Sequence, residues 1–224
     1  MSVPAQVMSA DVRETYSPIG LQIIDAFLNA EPIAPYAVFV DRFDNGQWIA
    51  TTLVPTRTPS GVLTLPDLER HAAVWPGQPP RAYRLRVESE AYIPTYRRTS
   101  DGFRFLAYPN NDTHPPQQLP PANIAMLAML PSAAYGYNSD VRVLRGRVTE
   151  LNGGAPIRDA VVSFAVGQVE AMTDIRGNFA LGIRHAPPSG AVTLDIHHDR
   201  TGRVRTISLQ LPAALGSNQV ITLN

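Results

Sequence analysis

The stretch Thr173 to Ile183, TDIRGNFALGI, sets a polar turn ending in Gly177 before apolar residues at alternate positions, Phe179, Leu181 and Ile183. Alternation of this kind marks a strand with one face in a core. In the turn itself, Asp174 can accept hydrogen bonds from nearby N–H groups and Gly177 can take a positive φ, while Phe179 and Leu181 insert into a sandwich. The phrase has an echo far upstream. In RTPSGVLTLPDL, residues 57–68, a turn closes on Gly61 and Leu63 and Leu65 follow at alternate positions.

Outward from the two phrases the order of segments keeps matching. The second half runs RGRVTELNGGAPIRDAVVSF, the Gly turn, AVTLDIHHDRTGRVRTISLQL and NQVITLN. The first half runs IGLQIIDAFLNAEPIAPYAVFV, its Gly turn, AYRLRVESEAYIPTYRR, FRFLAY and NIAMLAML. Each has a strand, a turn closing on Pro-Ile (Pro32-Ile33, Pro156-Ile157), an Ala-Val strand, the Gly-turn strand and another alternating strand. One supersecondary plan used twice predicts two tandem domains, since the period is too long for a solenoid. In AVTLDIHH, Val192, Leu194 and Ile196 are expected to face a core and Thr193, Asp195 and His197 to face water. Helix signals are thin: LPDLERHAAVW, residues 65–75, predicts one short turn of helix, and NIAMLAML reads as a buried strand returning to the first domain. The expected division is an amino-terminal arm over 1–17, a first sandwich over 18–131 with a Pro-rich loop at 108–121, a linker over 132–140, and a second sandwich over 141–224. Pro lacks the N–H a ladder needs, so the Pro-rich loop is expected on the surface as extended chain.

Composition narrows the function. Nineteen basic and nineteen acidic residues cancel, and every basic residue is Arg. Nucleic-acid binding normally needs an excess of positive charge, so that class loses weight. The absence of Cys removes disulfides, thiolate catalysis and Cys-ligated metals. No stretch approaches the eighteen or so apolar residues that span a bilayer, and the expectation is no membrane partner. The amino end, MSVPAQVMSADVRE, has neither a basic n-region nor an apolar h-region. It predicts synthesis without a signal peptide, the protein staying in the cytoplasm or leaving by another route.

The second copy resembles the carboxypeptidase regulatory-like domain, a seven-strand β-sandwich of transthyretin-like shape. The resemblance is carried by Gly146-Arg147-Val148, Pro156-Ile157, Ala160-Val161-Val162 and the run from Thr173 to Leu181, and it covers roughly 141–224. The first copy is looser. Asp174 has no clear counterpart there, Val62-Leu63 stands where Asn178-Phe179 would, and AYIPTYRR is similar to the family's Gly-Tyr segment with Ala91 in place of Gly. The resemblance implies an all-β chain of two tandem transthyretin-like (Ig-like) β-sandwich domains.

The sequence holds no G-x-S-x-G elbow, H-E-x-x-H pair or phosphate-cradling G-x-x-x-x-G-K. Asp195 and His197, with Asp199 near, make the best metal candidate, against the alternative of a solvated strand ending in a polar turn; no metal and no cofactor are expected. Glu88 and Glu90 pair carboxylates as acid/base chemistry requires, or simply mark a wet sheet face. Asn111 opens a glycosylation sequon. Tyr83, Tyr92, Tyr96, Arg97 and Arg98 form a candidate sugar- or protein-binding surface, or else the tyrosines are core with their hydroxyls at the rim. Domains like those of the resembled family often serve as interaction modules. The leading expectation is therefore a non-enzymatic structural or adaptor protein, working with other proteins, or as a homo-oligomer with further copies of itself. Its place would be in a phage-tail or phage-tail-like contractile particle, as a baseplate, cap, fibre-adaptor or decoration protein. The alternative is an exported carbohydrate- or peptide-binding module.

Overall fold

The computed structural model describes residues 15–75, 77–116, 124–151, 154–164, 169–184 and 186–223. Most of the expected amino-terminal arm, and positions 117–121 of the Pro-rich loop, lie outside the described residues. The first half contains β1 (Gly20–Asp25), β2 (Ala37–Asp44), β3 (Gln47–Ala50), β4 (Thr56–Arg57), β5 (Leu63–Thr64), β6 (Arg81–Glu88), β7 (Tyr92–Pro94), β8 (Phe103–Ala107) and β9 (Ala125–Pro131). The second contains β10 (Val143–Thr149), β11 (Val161–Phe164), β12 (Val169–Met172), β13 (Asn178–Gly182), β14 (Gly190–His198), β15 (Arg203–Leu211) and β16 (Gln219–Thr222).

The fold is all-β, two sandwiches in tandem, and the echo in sequence is an echo in topology. In each half the first strand pairs antiparallel with the strand after the Gly turn, Leu21 opposite Leu63 and Gly146 opposite Phe179. It pairs in parallel with the last strand, Ile23 opposite Leu127 and Val148 opposite Ile221. The facing sheets repeat as well, in the orders β3-β2-β6-β8 and β12-β11-β14-β15. Among the described residues seven strands hold the same places in both halves, and β4 and β7 extend the first. NIAMLAML supplies β9, which lies against β1, but the strand is only half-buried: Leu127, Met129 and Leu130 are in the core while Ile124 and Met126 are exposed. The alternation of β14 holds too, with Val192, Leu194 and Ile196 buried.

The two copies solve one packing problem differently. A Cβ on Gly146 would stand 2.6 Å from the Phe179 ring, so glycine here makes room for the large side chain opposite. In the first copy Leu21 and Leu63, both buried, share that space. The turns correspond more closely than their sequences. Asp174 Oδ1 accepts from the backbone N–H groups of Arg176 and Asn178, both at 2.8 Å. Thr58 Oγ1 accepts from Val62 N–H at 3.1 Å, so Thr58 is the counterpart of Asp174 in the first copy. Gly61 and Gly177 have φ of 81° and 74°.

Two expectations need correction. Residues 65–75 form a chain of turns rather than helix: Asp67 and Glu69 both have φ of 59°, which a right-handed helix does not allow. Glu69 is pulled inward by Tyr83, His71 and Arg81, which all bond its carboxylate. The Pro-Ile echo fails in packing. Ile157 is buried but Ile33 is 82% exposed. Asp25 N–H bonds Ala30 O and Glu150 N–H bonds Ala155 O, and against that common bond the first Pro-Ile stands one residue later.

Candidate docking surface and the junction between the sandwiches

The tyrosines and arginines singled out in sequence do not share an open surface. Tyr83 and Tyr92 are core residues. Tyr83 donates to Glu69 Oε1. Tyr92 donates to Asp25 Oδ2 at 2.9 Å and accepts from Ile33 N–H. Tyr96 accepts from Val87 N–H at 2.8 Å. Burial pushes the Tyr92 and Tyr96 hydroxyls above their ordinary pKa, the Asp25 carboxylate adding to the effect at Tyr92. Of the two alternatives, the tyrosines follow the core reading.

Arg97 and Arg98 correct the surface reading another way: they face the other half of the chain. They lie in a 3-10 turn over Thr95–Arg98. Arg97 grips the buried Asp159 with Nε and Nη2, each at 3.1 Å, and Arg98 pairs with Glu170. From the second sandwich Arg200 reaches back to the Arg97 and Ser100 carbonyls and to Asp101. These polar contacts accompany an apolar one, in which Leu130 and Ile93 pack on Val161 and Met172.

The linker adds a second weld. Tyr135 donates to Asp25 Oδ2 at 2.7 Å, and Asp25 Oδ1 accepts from Phe27 and Leu28 N–H groups. That buried carboxylate therefore takes four donors. Tyr137 bonds the Ala180 carbonyl across the junction and meets Phe27 edge-on, centroids 4.9 Å apart. A Cβ on Gly182 would collide with both rings. Arg184 lies over the Phe27 ring at 3.8 Å. The segment expected as a linker is thus a packed splint.

The remaining candidates are engaged in ordinary structure. Asp195 accepts from Thr206 Oγ1 at 2.6 Å, and His197 Nε2 stands 3.7 Å from Asp199 Oδ1. Among the described residues no group of three His, Cys, Asp or Glu is placed to hold a metal. Glu88 pairs with Arg86, Glu90 lies past the end of β6, and Asn111 Oδ1 caps Thr113 and His114 N–H groups.

The surface that sequence reasoning missed is the outer face of β3-β2-β6-β8. Two rows cross it. In the ionic row Asp41 lies opposite Arg84, and Arg84 opposite Arg104. Arg84 Nε and Arg86 Nε both reach Asp41 Oδ2 at 2.7 Å. Burial pushes the Asp41 carboxyl upward, but hydrogen bonds from Arg86 and Arg84, with their charge, outweigh it and hold the pKa below its ordinary value. In the apolar row Trp48 lies opposite Phe43, and Ala82 opposite Leu106. Phe43 and Leu106 are 44% and 48% exposed. Small Ala82 leaves a depression of about 440 Å³ bounded by Phe43, Trp48, Arg104, Phe105 and Leu106. Arg84 and Arg104 guanidinium carbons stand 4.8 and 5.6 Å from the Trp48 ring centroid, within cation–π range. The same face of the second sandwich presents Thr193 opposite Ser208, Asp195 opposite Thr206 and His197 opposite an exposed Val204. The signal in AVFVDRF was masked, because Phe39 and Phe43 alternate with Val38 and Val40 and both phases look apolar.

No family model matches the chain, and no curated protein matches it in sequence. Among solved structures, the Bacillus anthracis TIE protein aligns over 93% of this chain at 10% identity with a TM-score of 0.28. The chain spans about a third of that protein, 33% of its length.

Proposed function

We propose that the protein is a non-enzymatic structural adaptor, two sandwiches fixed to each other, that docks to another protein through the outer face of β3-β2-β6-β8. One observation carries this reading. The two copies share strand order and core pattern, yet their outer faces are used differently. In the second copy Val161 and Met172 are covered by the first sandwich, and β14 and β15 present Thr193, Asp195, Thr206 and Ser208 with Val204 exposed beyond them. The first copy leaves Phe43, Leu106 and Arg104 open together. Exposed aromatic and Arg side chains in one patch suit a protein interface. The guanidiniums on Trp48 occupy the ring face that a sugar would stack on, which favours a protein ligand over a glycan. The repeated seven-strand order also supports reading both halves as transthyretin-like modules of the carboxypeptidase regulatory-like kind. The assembly we propose is a phage-tail or phage-tail-like contractile particle, on the strength of that resemblance. The test is capture of the protein from its own cells, with Phe43→Glu as comparison. A stoichiometric protein partner lost on Phe43→Glu is expected; recovery as a free monomer carrying glycan would overturn the reading.

A further inference from the structure

Resting on the adaptor reading, the geometry points to the partner's chemistry: we infer that an extended segment adds as a strand beside β8, carrying a carboxylate and a large apolar side chain two residues apart. β8 ends its sheet, and among the described residues its outer edge pairs with no strand. Unpaired N–H and C=O groups on such an edge are a template for strand addition. The side chains along β8 alternate, so Arg104 and Leu106 point to the outer face while Ala107 is buried.

The two rows set the specificity. An added strand continues both of them, because its alternate side chains fall in line with those of β8. One lies beside Arg104, whose guanidinium contacts the Trp48 ring and pairs with no carboxylate among the described residues. Arg84 and Arg86 differ, being engaged by Asp41 and Glu88. A carboxylate is the group that Arg104 lacks, and an Arg–carboxylate bond is among the stronger polar contacts. The next side chain on the same face lies beside Leu106 and can lean over the Ala82 depression. A Leu, Met, Phe or Trp has the length and the apolar surface to do so. The two required groups are therefore two positions apart, in either order, since a strand can add parallel or antiparallel. The equivalent edge strand β15 presents Val204, Thr206 and Ser208 outward, and among the described residues no Phe, Tyr or Trp pairs with Val204 there.

The experiment uses random dodecapeptides displayed on a surface and selected on the full chain, followed by amide exchange with the enriched peptide made synthetically. Enrichment of an acid two positions from a large apolar residue is expected, with slowed exchange at 103–107. Arg104→Glu is expected to weaken that peptide about tenfold or more, and Ala82→Leu to weaken it by filling the depression. Arg104→Gln, which removes charge without reversing it, provides the comparison if the reversal disturbs folding; thermal melting of each variant reports that. Enriched peptides without the pair, binding indifferent to Arg104, protection elsewhere, no binder, or a dimer of the chain closed over this face would each overturn the inference. The two readings fail separately. A peptide site with no stoichiometric partner in cells sinks the adaptor alone, whereas a partner whose capture ignores Arg104→Glu sinks the strand site alone.

Discussion

Gly61 and Gly177 occupy the same step of two corresponding turns, but their surroundings differ. Both have positive φ, a region that costs a residue with a Cβ roughly 1–2 kcal/mol. At Gly61 a Cβ would meet, among the described residues, only the Arg57 side chain at 3.7 Å. At Gly177 the Cβ would run into the Val148 carbonyl oxygen and crowd Pro156. Gly61→Ala should therefore cost about 1–2 kcal/mol. Gly177→Ala should cost about 3 kcal/mol or more, with steric overpacking added to the strain. Denaturant midpoints of the two variants measure this directly, and equal losses would show that backbone strain alone decides both positions. Thr58 belongs at this scale too. Its hydroxyl accepts one backbone N–H where the Asp174 carboxylate accepts two, and a Thr in a polar turn leaves a fainter trace in the sequence than an Asp.

At the scale of strands, the ionic row on β2 and β6 gives a pH dependence whose sign is fixed. Asp41 titrates below its ordinary value of 3.8 in the folded protein, burial being outweighed by Arg86 and Arg84. A carboxylate depressed on folding contributes stability that is full above the unfolded-state pKa and is lost as pH falls through the folded one. The melting-temperature advantage of wild type over the Arg84→Gln, Arg86→Gln double variant should thus be constant near neutrality and shrink below pH 3.8. An advantage that grew toward acid would show that the row is not held by this carboxylate. The strands themselves were largely legible, because alternation in β14 and the glycine in β10 reflect the core directly. The outer face was not. Whether Phe43 and Trp48 point inward or outward depends on register with β6, and register is set by partners far away in sequence. The same limit explains Arg97 and Arg98: their charge was visible, but not that Asp159 lay across from them.

For the whole molecule, the junction determines how the halves unfold. Leu130, Ile93, Val161 and Met172 pack between them, and the buried Asp159 belongs to one half while its main partner Arg97 belongs to the other. We expect one cooperative calorimetric transition for the intact chain. Arg97→Ala should lower its stability by about 3 kcal/mol, the low end for stranding a buried carboxylate, because Arg158 at 3.7 Å still faces Asp159. Two separated transitions in wild type would mean that the junction contributes little to either sandwich.

The aromatic splint has a consequence for multivalent binding. A flexible tether lets a second site search a volume, and effective concentration then falls smoothly with tether length. Tyr135 and Tyr137, anchored to Asp25 in one sandwich and the Ala180 carbonyl in the other, remove that search. A ligand engaging both halves at once meets a ruler of one length. Matched spacing gains the full avidity, and spacing off by a few ångströms gains none. Loosening the splint with Tyr137→Ala would therefore weaken a matched bivalent ligand while letting mismatched ones begin to bind.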